Sequence, residues 1–186
     1  MWRWTAPHPE WKQSPPGSGG DWPREVGCVL HEDGEHTVWI DPLEPSEDAS
    51  FWDWADARCG GRSVSVLLTI GFHERSRERF VARYDASAVA PVGVQALAFP
   101  ALDETMYWLS PQRVLVAGDR LLGGGGELEL CPQSWLRYID PQPTLAQMRE
   151  QLGVLLELDV DAVLVSHGEP VLAGGRAAIA RALAGS

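Results

Sequence analysis

Ser65-Val66-Leu67-Leu68-Thr69-Ile70-Gly71-Phe72-His73-Glu74-Arg75-Ser76 runs from an apolar segment straight into a polar loop that holds one histidine. A short apolar run with that ending reads as a strand buried on both faces, the kind found at the centre of a layered fold. Three further runs end as abruptly: Thr37-Val38-Trp39-Ile40 in Asp41-Pro42, Arg113-Val114-Leu115-Val116-Ala117 in Gly118-Asp119, and Ala162-Val163-Leu164-Val165 in Ser166-His167-Gly168-Glu169. Between them the periodicity predicts helices near Asp48 to Ala57, Glu74 to Tyr84 and Thr144 to Leu158, and a last one over GGRAAIARALAG. A hairpin is expected around Asp33-Gly34, short strands between Ala86 and Phe99, and a second hairpin turning at Ser110-Pro111. Strands alternating with helices give an α/β fold. Open α/β sheets bind ligands beyond the carboxyl ends of their strands, so the four loops are expected to share a cleft. Taken singly, Asp41 and Gly118-Asp119 serve equally well as turn formers, and the two histidines as ordinary loop residues. Four such endings together favour a site.

The composition sets the outer limits. A chain of 186 residues, 45% hydrophobic and 22% charged, is expected to be one domain with a full core, spanning 1–186. Its net charge of −11, with 15 basic residues scattered along the chain, argues against a nucleic-acid partner. Cys28, Cys59 and Cys131 are odd in number and have no C-x-x-C spacing, so they suggest neither a disulfide framework nor a thiolate zinc site and fit a reducing cytoplasm. No run has signal-peptide or bilayer length, so no membrane association is expected.

Residues 1–22 are read as an aromatic-rich segment and loop packed on the body, with Ser14 to Gly20 as the loop. Nine tryptophans are many for this length; those at 2, 4, 11 and 22 either fasten the segment down or form an aromatic wall for a ligand or a dimer contact. His8, between two prolines, reads as a surface residue. Gly123-Gly124-Gly125-Gly126 lacks the lysine and hydroxyl residue of a phosphate loop and is expected to be a flexible loop beside the cleft.

The order IDP, LLT-x-x-x-H, VLVAGD-x-L, LVSHGEP, spread from about Val38 to Leu183, resembles the metallo-β-lactamase superfamily. The resemblance implies a four-layer αββα sandwich. It also implies a metal cleft at one edge, where two zinc or iron ions share a hydroxide that attacks an ester, thioester, amide or phosphoester. The family's H-x-H-x-D-H loop falls on Gly71 to Ser76, so that His73 keeps a ligand while Gly71, Arg75 and Ser76 replace three. Asp119 matches the bridging aspartate and His167 the late histidine. The middle histidine has no counterpart, Asp103 or Glu104 lying at about its place.

A dinuclear centre is therefore not expected. Arg75 would stand in for the missing metal and pair with Asp119, with Asp41 and Glu74 as catalytic candidates, and Glu74 and Ser76 would serve the start of the following helix. The implied protein is a non-catalytic or impaired homologue with a binding or regulatory role and no tightly bound cofactor. The alternative is an atypical hydrolase with one zinc or iron ion held by His73, Asp119 and His167. A small-molecule ligand in the cleft and a homodimer are compatible with either. A dehalogenase-type phosphatase fares worse, since DPLEP lacks the second aspartate.

Overall fold

The computed structural model describes residues 1–13, 22–45 and 50–185. The expected loop over Ser14 to Gly20 and the expected helix start at Asp48 lie outside them. Strands β1 (Trp2–Pro7), β2 (Glu25–Glu32), β3 (His36–Ile40) and β4 (Ser63–Leu67) form one sheet in that order, with β3 and β4 parallel. Strands β5 (Val94–Phe99), β6 (Glu104–Leu109), β7 (Val114–Ala117) and β10 (Ala162–Val165) form a second sheet in the order β10-β7-β6-β5, with β10 and β7 parallel. A two-stranded ribbon, β8 (Leu121–Gly124) and β9 (Glu127–Leu130), stands apart.

Side-chain alternation makes the layers. In β2, β3, β7 and β10, residues Val29, Val38, Ile40, Val116 and Leu164 face the other sheet, and with Val94, Tyr107 and Leu109 they form the inner core. Their neighbours point outward under helices: Leu30 and Trp39 lie beneath α1 (Phe51–Cys59) and α2 (Arg77–Tyr84). Leu115, Ala117, Val163 and Val165 lie beneath α3 (Leu145–Leu152) and α4 (Gly175–Ala184). Strands buried on both faces have no polar side to show, which is why these runs are nearly continuous in apolar residues. Helix, sheet, sheet and helix make four layers.

Several local expectations change. The N-terminal segment supplies a strand: Trp2–Pro7 is the outer strand of the first sheet, paired antiparallel to β2. Trp4 joins Trp39, Phe51 and Trp54 in an aromatic cluster over that sheet, with ring centroids 5.7 to 6.1 Å from Trp4. The four-glycine run is a hairpin: Gly123 and Gly124 end β8, and Gly125 and Gly126 turn at φ +59° and +81°. The helix expected from Glu74 begins at Arg77, after a 3-10 turn at Gly71–His73. Ser76 leaves that helix uncapped and accepts instead from the Glu44 amide at 3.0 Å. The helix expected to reach Leu158 ends at Leu152 and tightens into a 3-10 segment over Gly153–Glu157. No helix among the described residues is long and apolar enough to cross a membrane.

Candidate metal centre

Because β3 runs parallel to β4 and β7 parallel to β10, the carboxyl ends of all four strands open on one edge of the sandwich. There a chain of contacts links the four loops. Asp41, immediately after β3, is 2% exposed, and its Oδ1 accepts the Thr69 amide at 2.8 Å. Its Oδ2 takes the Thr69 hydroxyl at 2.5 Å, His73 Nδ1 at 2.9 Å and the Ser166 hydroxyl at 3.3 Å. With Asp41 an acceptor, Nδ1 carries the ring hydrogen and the neutral tautomer offers the lone pair of Nε2. That Nε2 lies 3.0 Å from Asp119 Oδ1, and His167 Nε2 lies 3.2 Å from the same oxygen.

Gly118 and Glu104 place Asp119. A β-carbon at Gly118 would stand 2.5 Å from the Thr69 hydroxyl, so the turn after β7 can pass this close to Thr69 only with glycine there. Glu104, buried at the start of β6, accepts the amides of Gly118, Asp119 and Arg120 at 3.1, 2.9 and 2.9 Å. Glu104, one of the two acids expected near the place of a middle histidine, thus holds the backbone of the aspartate loop.

Electrostatics follow from burial and pairing. Burial alone would push the His73 imidazolium down, but Asp41 and Asp119 on either side outweigh it and raise its pKa to about 9. Burial would raise Asp119, yet His73 and His167 hold it well below the usual carboxylate range. Asp41 is likewise lowered against its own burial, chiefly by His73.

The donors fit a cation. His73, Asp119 and His167 each present one ligand atom, all within 4.8 Å of one another. Asp119 Oδ1 is buried and, although both imidazoles are at ion-pair distance, it has no hydrogen bond of acceptable geometry. Ligand atoms in a tetrahedral zinc site with bonds of about 2.1 Å stand about 3.3 Å apart, and two of the three separations here are 3.0 and 3.2 Å. The Asp41–His73 contact is the carboxylate–imidazole pairing that orients a ligating histidine.

The remaining sequence candidates fall elsewhere. The expected Arg75–Asp119 pair does not form. Arg75 sits at φ +41°, and its Nη1 donates to the carbonyls of Gly27 and Asp41 at 2.9 and 3.0 Å, tying the loop to β2 and to the end of β3. That orientation gives Nη1 to backbone oxygens, and no hydrogen bond or ion pair joins Arg75 to the histidine–aspartate trio. Arg75→Ala is therefore expected to cost about 2 kcal/mol, the scale of charge-assisted bonds to carbonyls, in a urea titration. Glu74 is exposed and does not line the cavity above the trio; Asp41 is beneath His73 and does not line it either. Asp103 does line it, exposed at the rim.

That cavity holds about 440 Å³ and opens directly onto His73, Asp119 and His167. Trp22 and Trp135 meet the His167 ring edge-on at 5.5 and 5.4 Å. His8 lines the outer wall, half-buried, 5.0 Å from the Trp22 ring, so it is not the free surface histidine its flanking prolines suggest. Trp135, Arg137 and Tyr138 come from a 3-10 segment, Gln133–Tyr138, that carried no signal in the sequence beyond its aromatic content. Trp22 was legible as an aromatic wall, whereas Trp4 belongs to the core.

No protein-family model and no curated protein matches this chain. Solved structures do. The chain is similar to TTHA1623 in a di-iron-bound form, with a TM-score of 0.59 at 17% identity over 86% of this chain and 94% of that one. It is similar to DIM-1 metallo-β-lactamase, with a TM-score of 0.57 at 12% identity over 88% of each chain. It is also similar to VMB-1, with a TM-score of 0.55 at 13% identity over 86% of this chain and 84% of that one. The fold is that of the metallo-β-lactamases.

Proposed function

We propose that this metallo-β-lactamase-fold chain is a metal-dependent hydrolase that works with a single zinc or iron ion held by His73, Asp119 and His167. The observation that carries the reading is the buried Asp119 Oδ1, approached by two imidazoles and hydrogen-bonded by neither. When bound, such an ion polarises a carbonyl or phosphoryl oxygen and lowers the pKa of a coordinated water. The chain does the rest. Asp41 and Thr69 hold the His73 Nδ1 proton and aim Nε2; Glu104 fixes the Asp119 loop; Trp22 and Trp135 shield His167 from water.

The second reading, a binding protein that keeps the fold, is favoured by the loop Gly71 to Ser76, where Gly71, Arg75 and Ser76 offer no metal ligand. Elemental analysis separates the two. Protein purified without chelators is expected to carry about one zinc or iron per chain. Hydrolysis of at least one of an acyl ester, a thioester, a β-lactam or a phosphodiester should fall at least 100-fold on chelation and return with metal. A chain with no metal, and with turnover indifferent to chelation, would be the binding protein instead.

A further inference from the structure

We infer that the cavity over the His73–Asp119–His167 trio takes an anionic small molecule with a flat aromatic body, its ring against Trp135, Phe72 and Tyr138 and its anionic group at Arg137. As a substrate class this rests on the hydrolase reading; as a binding site it does not need the metal.

The first support is aromatic surface that the fold does not explain. Phe72 and Tyr138 are 67% and 65% exposed, yet their rings meet edge to face at 6.0 Å and both line the cavity. Neither packs on a core cluster, so their contact with each other covers little of either ring. Paired rings left in water at the mouth of a concave site are the usual platform for a flat apolar ligand. Trp135 continues that wall inward to His167. At about 440 Å³ the space suits a molecule of two fused rings with a substituent.

The second support is charge. The chain has 26 acidic against 15 basic residues, and several arginines outside the cavity find carboxylates: Arg79 with Glu44, Arg83 with Asp56, Arg113 with Asp159 and Asp161, Arg181 with Glu127; Arg3 and Arg58 instead meet backbone carbonyls and tryptophan rings. Arg137, at the rim, has no carboxylate within ion-pair distance among the described residues; its guanidinium stacks 4.7 Å over the Tyr138 ring and its Nη2 donates to the Tyr138 hydroxyl at 2.5 Å. Arg75, deeper in the wall, binds only backbone carbonyls and a sulfur among the described residues, and its Nε and Nη2 are buried without an acceptor. The lining also carries Glu10, Asp103 and Asp119, so the attraction for an anion is local, at the Arg137 guanidinium beside the paired rings and at Arg75 deeper in the wall, neither of which has an acid partner among the described residues. The Arg137 fork, already flattened on Tyr138, lies beside the ring platform, so ring and anion can be held together.

The test follows tryptophan fluorescence and heat on titrating the full chain with 2-naphthoate, neutral 2-naphthamide, cationic 2-naphthylmethylammonium and acetate. Each is titrated into protein freed of metal by dialysis against chelator and into protein reloaded with zinc. In metal-free protein 2-naphthoate is expected to bind at least tenfold more tightly than 2-naphthamide, with no saturation by the ammonium compound or by acetate. Arg137→Gln should erase the tenfold preference and leave the amide unchanged, whereas Tyr138→Ala should weaken acid and amide alike, at least fivefold. The inference is overturned by equal affinities for acid and amide, by acetate binding as well as naphthoate, or by no binding at all. It is overturned as well by naphthoate binding that appears only with zinc and ignores Arg137→Gln. Binding to metal-free protein that takes up no zinc on reloading would sink the hydrolase reading and leave the ligand class standing.

Discussion

Glu104→Ala is expected to lower the free energy of unfolding by about 4 kcal/mol, the scale set by orphaned buried donors and a broken buried ion pair. The side chain is fully buried and its carboxylate accepts three consecutive amides, those of Gly118, Asp119 and Arg120. Truncation leaves two of those amides buried without an acceptor and the third, that of partly buried Asp119, without its partner. It also leaves Arg120, 3% exposed, without the acid 3.9 Å from its Nε, which still donates to the Leu102 carbonyl. Urea denaturation followed by circular dichroism measures the loss; a cost under 1 kcal/mol would mean that the aspartate loop stands without it.

The same residue gives a pH signature whose sign can be worked out. Burial pushes the Glu104 carboxyl up from its ordinary 4.5 to about 7, against the pull of Arg120 and the three amides. A folded-state pKa above the unfolded one means that the native chain binds the proton more tightly. The resulting stability is present in full below about pH 4.5 and is lost as the pH rises through 7. Wild-type protein should therefore lose stability between pH 5 and pH 8 relative to Glu104→Gln, in which nothing titrates at this position. Equal slopes for the two proteins over that window would remove Glu104 as the cause.

Much of the fold was legible because its central strands are buried on both faces. Val38, Trp39 and Ile40, or Val163, Leu164 and Val165, leave no polar position, so each run stands out against its surroundings and its abrupt polar ending marks the sheet edge. The convergence of Asp41, His73, Asp119 and His167 follows from those endings once β3–β4 and β7–β10 are parallel. Edge elements were harder. Trp2–Pro7 interleaves tryptophans with Arg3 and Thr5, a composition that a surface segment and an edge strand share, and only the pairing with β2 decides between them. Arg75 shows the limit most clearly. Its place in the sequence suggested a partner for Asp119, but a positive φ redirects the side chain to the carbonyls of Gly27 and Asp41, and no spacing rule carries that information. The cavity wall was hidden because Trp135, Arg137 and Tyr138 sit in a 3-10 segment, which has no strong periodicity to read.

Asp119→Ala and His167→Ala are each expected to weaken zinc binding at least 100-fold, because the described residues bring three protein ligands to the site and no fourth. Of these, Asp119 has the larger effect. It carries the one negative charge in the donor set, and its removal leaves His73 and His167 facing each other across the vacated position with no anion to draw a cation between them. Asp41→Asn tests the layer beneath. An amide there still fills the space but carries no charge to hold the Nδ1 proton, so affinity should fall about 10- to 100-fold, the usual cost of losing a ligand's orienting partner. Glu74→Ala should change nothing, since that carboxylate is exposed and lies outside the cavity. Competition titrations against a chromophoric chelator read all four constants, with circular dichroism to confirm that each variant is folded. Zinc affinity unchanged in folded Asp119→Ala would place the ion elsewhere and with it overturn the single-metal site. Affinity lost only in Asp119→Ala, with His167→Ala intact, would reduce the site to two ligands, too few to hold an ion at the mouth of an open cavity.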